Sequence, residues 1–197
     1  MLCTDSAPVL SPPLLIAAYG QGAFPMADDD GTIHWYTAEP RAIFPLDEVG
    51  PNARFRRFLR NANFRLSRNE AFVEVMAQCA EVHRPTWISP AMITAYSEFH
   101  RMGHAHSVET WQGDRLVGGL YGVSIGRAFF AESMFSTAPN ASKAAFYHLV
   151  DHLKQCGFTL LDSQFINAHT ASLGAIEVPK ARFEALLANA LRTTATF

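Results

Sequence analysis

The stretch from residue 127 to residue 165 constrains the fold more than any other part of the chain. It opens with RAFFAESMF, an apolar run broken by a carboxylate at Glu132. It closes with FTLLDSQF, a second apolar run broken by Asp162 and Gln164. Between them, residues 140–155 read as a helix that stops at Gly157. A strand, a helix and a strand of these lengths predict a parallel crossover within one sheet. Two neighbouring strands that ought to be buried then bring carboxylates to one place. An unpaired buried carboxylate is costly, so such a pair has either a partner or a task.

The rest of the chain surrounds that unit with a different rhythm. Residues 105–111 and 116–125 are β-rich runs joined by Gln112-Gly113-Asp114-Arg115, a hairpin signal. A strand is expected at 64–67, and Ser67-x-x-Glu70 reads as a capping box opening a helix over 71–82. Ser89-Pro90 opens a helix over 91–102 that Gly103 ends. The N-terminal part is loop-rich. It holds a short helix over 14–21 closed by Gly22 and Pro25, a turn at Asp28-Asp29-Asp30-Gly31, strands at 32–36 and 42–46, and a helix over 52–61. A last helix is expected over 179–191. A boundary near Pro40 divides a small lobe, residues 1–40, from the remainder, residues 41–197.

Composition narrows the class. The 197 residues are 49% hydrophobic and 17% charged, which is globular rather than disordered. A formal net charge of −2 means that any nucleic-acid footprint must be local. One segment qualifies: Arg54, Arg56, Arg57, Arg60, Arg65 and Arg68 occur with no acid among them. Phe55, Phe58 and Leu59 form an apolar stripe at helical spacing, which leaves the arginines outside. A plain solvated face is one reading of this segment; solvated faces normally mix signs, so a footprint for a polyanion is the other. The three cysteines Cys3, Cys79 and Cys156 show no CxxC spacing, which favours a reducing compartment and disfavours a zinc ribbon. MLCTDSAPVL lacks the basic start of a signal peptide, and no apolar run nears the roughly 18 residues of a membrane span. A soluble cytoplasmic protein with no membrane partner is expected.

Gly122-Val123-Ser124-Ile125-Gly126 matches the nucleophile elbow G-x-S-x-G, with Asp162 and His169 following in the chain order of a Ser-Asp-His triad. The elbow needs a strand before it and a helix after it. Here another strand follows, which places Ser124 in a hairpin turn, so a serine hydrolase is the alternative rather than the leading reading. His148 and His152 share a helix face, but no HExxH or carboxylate pattern completes a metal site. His104 and His106 enter a strand on the same face, and either could line a site. No glycine-rich pyrophosphate loop, Walker loop or dinucleotide fingerprint is present.

Longer motifs run from about Leu14 to Leu191. They include Gly22-Ala23-Phe24-Pro25-Met26, Pro85-Thr86-Trp87-Ile88, Gly103-His104-Ala105-His106-Ser107 and Leu116-Val117-Gly118-Gly119-Leu120-Tyr121-Gly122. They continue with Glu132-Ser133-Met134-Phe135-Ser136, Asn140-Ala141-Ser142-Lys143 and His169-Thr170-Ala171-Ser172-Leu173-Gly174-Ala175. In these motifs the chain closely resembles the leucyl/phenylalanyl-tRNA–protein transferases. The resemblance implies an α+β fold, a GCN5-related N-acetyltransferase-like mixed sheet flanked by helices, preceded by a small N-terminal lobe. It implies aminoacyl-tRNA charged with Leu or Phe as donor and protein N-termini bearing Arg or Lys as acceptors. The absent coenzyme A loop accords with such a donor. The resemblance assigns the reaction to Asp162 and Gln164, with Glu132 in the same pocket. It assigns Leu120, Phe129, Met134 and Phe146 to the pocket for the transferred side chain, Met26 and Trp87 to the terminal adenosine, and Asn167 to substrate binding. Arg54, Arg56, Arg57 and Arg60 are then the residues expected against tRNA. Longer members of that family carry an extra N-terminal segment, which implies a reduced lobe here.

The expected chemistry is aminolysis of an activated ester, which needs positioning, a proton acceptor and oxyanion stabilisation. Asp162 is expected to accept the ammonium proton, Gln164 to hold the amine or the tetrahedral oxygen, and Glu132 to balance the cationic terminus. No metal or redox cofactor follows from these roles.

Overall fold

The computed structural model describes residues 10–82 and 84–197. Cys3 and the first nine residues of the expected lobe lie outside them. The described residues form an α+β architecture around a seven-stranded sheet of order β4-β5-β6-β7-β8-β3-β9. The strands are β3 (Arg41–Phe44), β4 (Arg65–Arg68), β5 (Ala105–Gln112), β6 (Arg115–Ile125), β7 (Ala128–Ser136), β8 (Leu160–Gln164) and β9 (Ile176–Val178). Every pairing in this sheet is antiparallel except β7 with β8, the crossover expected from the sequence. The connecting helix is α5 (Ala141–Gln155). A separate two-stranded sheet pairs β1 (Phe24–Ala27) with β2 (Ile33–Tyr36).

Helices cover both faces. One apolar core lies against α1 (Pro12–Gly20), α3 (Phe72–Val82), α4 (Pro90–Arg101) and α7 (Lys180–Ala190). A second lies against α5 and α2 (Ala53–Asn61). Strand alternation divides the sheet between them: Phe130 and Tyr121 enter the first core, Phe129 and Leu120 the second. The helix α5 seats closely on β6 at Gly118, where a Cβ would come within 2.6 Å of Ala141 Cβ. Asn52 caps α2 by accepting from Phe55 N at 2.9 Å. Phe55 then anchors that helix against Tyr147 at 5.3 Å.

Some expectations are corrected. The Ser67-x-x-Glu70 capping box does not form, because Ser67 lies within β4 and its hydroxyl donates to Glu109 Oε2 at 2.6 Å. Glu70 instead pairs with Arg65 at 2.7 Å, so one arginine of the acid-free segment is neutralised from outside it. The amide of Ala71, before α3, reaches Glu109 Oε1 of β5 at 3.4 Å. Ser124 is a residue of β6 rather than of the following turn. The strands β1 and β9 and the short helix α6 (Ala168–Ser172) had no clear sequence signal. Among the described residues, no helix is long and apolar enough to cross a membrane.

Candidate active site

The parallel ladder between β7 and β8 runs from Ala128↔Leu160 to Phe130↔Asp162 and goes no further. Two irregularities follow at once. On β7, Tyr121 and Gly122 of β6 face Ser133 and Ala131, so Glu132 is the extra residue of a β-bulge. On β8, Ala42 and Ile43 of β3 face Gln164 and Asp162, so Ser163 is likewise extra. Bulges re-aim side chains, and these two flank the point where the strands part. A cavity of about 740 Å³ opens there. Glu132, Met134 and Leu120 line it from the sheet, Gln164 and Asn167 from β8 and the loop after it, and Met26 and Trp87 from the N-terminal side.

Gln164 has φ +56°, a left-handed conformation that costs a residue with a side chain on the order of 1–3 kcal/mol. That turn allows its Nε2 to donate to Glu132 Oε1 at 3.2 Å. Glu132 sits among apolar groups and buried tyrosines. Burial pushes its carboxyl up from an ordinary 4.5 to about 8. Asp162 adds to the rise, while the Tyr19 hydroxyl and Arg41 oppose it. A group with that value exchanges protons near neutral pH.

Asp162 requires a correction. It does not line the cavity; it is fully buried and locked to Arg41. Arg41 Nε donates to Oδ1 at 2.8 Å and Nη2 to Oδ2 at 2.6 Å. Oδ1 also accepts from Gln164 N at 3.2 Å. Both carboxylate oxygens are thus taken up by donors, and Asp162 lies beneath Gln164, holding the backbone that presents the amide. Arg41 was not singled out from the sequence. Its Nη1 donates to Gly22 O at 2.8 Å, and its guanidinium lies 5.0 Å from the Phe24 ring and 4.4 Å from the Phe183 ring. Gly22 has φ +77° and its missing Cβ would stand 2.8 Å from Phe183, so the approach depends on glycine. The sequence signal was an arginine opening an apolar strand in a chain that also buries an aspartate.

Two pocket residues are also displaced. Phe129 is buried opposite Leu161, before the strands part, and stacks on Phe197 at 5.4 Å. Phe146 lies behind Phe44, 4.7 Å ring to ring, and only Phe44 reaches the cavity. Phe24, Phe44 and Phe165 complete the apolar wall and were not anticipated as lining residues. His169, on α6, places Nε2 3.2 Å from Met134 Sδ at the same cavity. Arg54, Arg56, Arg57 and Arg60 are exposed on α2, away from the cavity lining.

The hydrolase alternative fails on its hydrogen bonds. Ser124 Oγ lies 3.1 Å from His106 Nε2, not beside His169. Ser107 N donates to Asn69 Oδ1 at 3.1 Å, which turns the Asn69 amide nitrogen toward His106 Nδ1 at 3.2 Å. Nδ1 is thus the acceptor, and Nε2 carries the proton toward Gly103 O at 3.1 Å. Burial pushes His106 down to about 4. Its Nε2 cannot take a proton from Ser124. His148 and His152 are engaged by Arg68 and Phe197 respectively. Among the described residues no group of three or more His, Cys, Asp or Glu is placed to hold a metal ion.

Comparison with known proteins adds an independent line. A family described as leucyl/phenylalanyl-tRNA protein transferase matches residues 43–188, and its N-terminal domain matches residues 9–39. A leucyl/phenylalanyl-tRNA–protein transferase of Herpetosiphon aurantiacus is 49% identical over 189 residues, covering 95% of this chain and 98% of the relative. One of Cereibacter sphaeroides is 47% identical over 192 residues, covering 96% of this chain and 89% of the relative. A solved structure of a conserved protein of unknown function from Bacteroides thetaiotaomicron aligns at TM-score 0.46 and 11% identity, over 80% of this chain and 57% of that one.

Proposed function

The chain belongs to the leucyl/phenylalanyl-tRNA protein transferase family, and we propose that it moves Leu, Phe and also Met from aminoacyl-tRNA to the N-terminal α-amine of proteins beginning with Arg or Lys. The new N-terminus marks the product for degradation, and the reaction takes place in the cytoplasm, where charged tRNA is available. The observation that carries this reading is the Glu132–Gln164 pair set beside the apolar wall of Phe24, Phe44, Leu120, Met134 and Phe165 in one cavity.

The acceptor α-amine, whose pKa is about 7.7–8.0, attacks the ester carbonyl as the neutral form. A C–N bond forms, the bond from the carbonyl carbon to the ribose oxygen breaks, and one amine proton ends on that oxygen. Glu132, with its carboxyl near 8, is matched to take this proton and return it to the leaving oxygen. Gln164 already donates through Nε2, which leaves Oε1 to accept from the amine. Asp162 and Arg41 are positioning residues in this scheme, not proton carriers. Leu120, Met134 and Phe44 offer an apolar wall for the transferred side chain, and Met26 and Trp87 flank the terminal adenosine. Asn167 caps α6 with its Oδ1 and offers its amide nitrogen to the substrate. These roles need no metal or redox cofactor.

We assign the sheet to the GCN5-related N-acetyltransferase type. Support comes from the diverging parallel pair and the bulge at Glu132. A lobe of residues 1–40 before a catalytic unit of residues 41–197 is supported by the separate β1–β2 sheet and by β3, which starts the larger sheet at Arg41.

The test is transfer of radiolabelled leucine from charged tRNA to a protein beginning with Arg, beside one beginning with Gly. Labelling of the Arg acceptor alone is expected, and no labelling of either overturns the reading. Arg54, Arg56, Arg57 and Arg60 form the tRNA-facing surface in this proposal. Replacing Arg54, Arg57 and Arg60 together with Ala is expected to weaken tRNA binding. It should also reduce the log–log salt slope by about 0.7–0.9 for each phosphate that is no longer neutralised. A slope equal to wild type would show that this face is only solvated.

A further inference from the structure

Three tyrosines are fully buried around the bulge: Tyr19 from α1, Tyr96 from α4 and Tyr121 from β6. Phenylalanine would fill nearly the same volume at each position without a hydroxyl to satisfy, and burying an unsatisfied hydroxyl is unfavourable. The Tyr19 and Tyr96 hydroxyls hydrogen-bond to each other. The Tyr121 hydroxyl is the one buried side-chain oxygen or nitrogen without a partner among the described residues. Such an orphan calls for an explanation. Its position supplies one. Tyr121 faces Ser133 across the ladder, at the step where Glu132 is the extra residue. Its ring meets Tyr96 edge-on at 6.0 Å, and Tyr19 packs on Phe130, two residues before Glu132, at 5.0 Å.

We propose that Tyr19, Tyr96 and Tyr121 are positioning residues whose hydroxyls form a buried donor shelf for the Glu132 carboxylate. Tyr96 donates to Tyr19 and Tyr19 to Glu132, while Tyr121 supplies a second donor once Glu132 loses its proton. Donors in such a chain polarise one another, and hydrogen bonds to a carboxylate favour the ionised form. Burial alone would keep Glu132 protonated; the shelf returns it to the range where it exchanges with an amine. Burial pushes the three tyrosines themselves well above their ordinary value, so they remain neutral donors. The other groups that bear on Glu132 are Asp162, which raises it, and Arg41, which lowers it. Cys79 of α3, pushed up to about 12 by burial, stays neutral near Tyr121. The use of Glu132 as a base rests on the function proposed above, but its coupling to the three hydroxyls does not.

The test is an infrared titration of the protonated Glu132 carboxyl band in the tRNA-free protein, assigned by its loss in Glu132→Gln. Tyr19→Phe and Tyr121→Phe are each expected to move the midpoint upward by about one unit, a tenfold fall in the ionisation constant. Tyr96→Phe should move it less and in the same direction. The pH profile of transfer should shift alkaline by the same amounts, with activity approaching wild type at high pH. Midpoints unchanged in all three variants overturn the proposal. Should Tyr19→Phe not fold, Tyr121→Phe, which removes only the unpartnered hydroxyl, decides alone. Shifted midpoints in a protein that transfers nothing would uphold the shelf and sink the transferase reading; unchanged midpoints in an active transferase would do the reverse.

Discussion

Glu132→Gln is expected to lower single-turnover leucine transfer by about 10²–10⁴-fold, the usual cost of losing a general base. Binding of charged tRNA should survive, because the amide keeps the size of the side chain. The pH profile separates this role from a purely structural one. Once corrected for the neutral fraction of acceptor amine, the wild-type rate should rise with pH through about 8, where Glu132 loses its proton. The corrected rate of the variant should be flat. Stability gives a second readout with a definite sign. Burial raises the folded-state value of Glu132 above its ordinary 4.5, so the folded protein holds this proton more tightly than the unfolded chain does. The resulting stabilisation is full below about 4.5 and is lost as pH rises through about 8. Melting temperatures at pH 5 and pH 8 should therefore differ less in Glu132→Gln than in wild type. A variant with the wild-type corrected profile would remove Glu132 from the chemistry.

Arg41→Ala is expected to destabilise the fold more than any other single substitution at the site. Arg41 and Asp162 are 1% and 0% exposed, so deleting one leaves the other charge buried and uncompensated. Breaking such a pair costs about 3–5 kcal/mol. For a chain of this size that lowers the melting temperature by about 6–20 °C. The guanidinium also joins Gly22, Phe24 and Phe183, so the N-terminal segment and α7 loosen together. The double variant Arg41→Met, Asp162→Leu should regain most of the stability, because apolar residues of similar volume remove both charges at once. It should not regain activity, because Gln164 N then loses the Asp162 oxygen that holds its strained backbone. Full activity in a stable double variant would show that the pair is only a structural brace.

The elements that the chain announced were those with local chemistry. The strand–helix–strand unit followed from two apolar runs around a helical one, and it delivers the sheet's parallel pair. Ser89 caps α4 as its position before Pro90 implied, accepting from Met92 N at 3.3 Å. Arg54, Arg56, Arg57 and Arg60 were assigned to the solvent side of a helix by the stripe of Phe55, Phe58 and Leu59, and α2 has that arrangement. The convergence of Glu132 and Gln164 was likewise legible, because both interrupt runs that had to be buried.

What local pattern could not supply was register and partnership. A regular strand would turn Phe129 and Met134, five residues apart, to opposite faces. Both pack on the same core because the bulge at Glu132 shifts the alternation by one. Only Met134 reaches the cavity, since Phe129 lies where β7 and β8 are still paired. The apparent capping box at Ser67 and Glu70 lost to partners from elsewhere: Glu109 holds Ser67, and Arg65 holds Glu70. Asp162 was read as a proton acceptor because nothing in its neighbourhood along the chain revealed Arg41, which lies 121 residues away in sequence. The sequence by itself therefore determined which apolar runs had to be buried, the longer helices they built and which strands would bring their carboxylates together. The tertiary structure alone decided which of those carboxylates was neutralised and which faced the cavity, because a buried charge takes its role from the partners that folding brings to it, and those partners are distant in the chain.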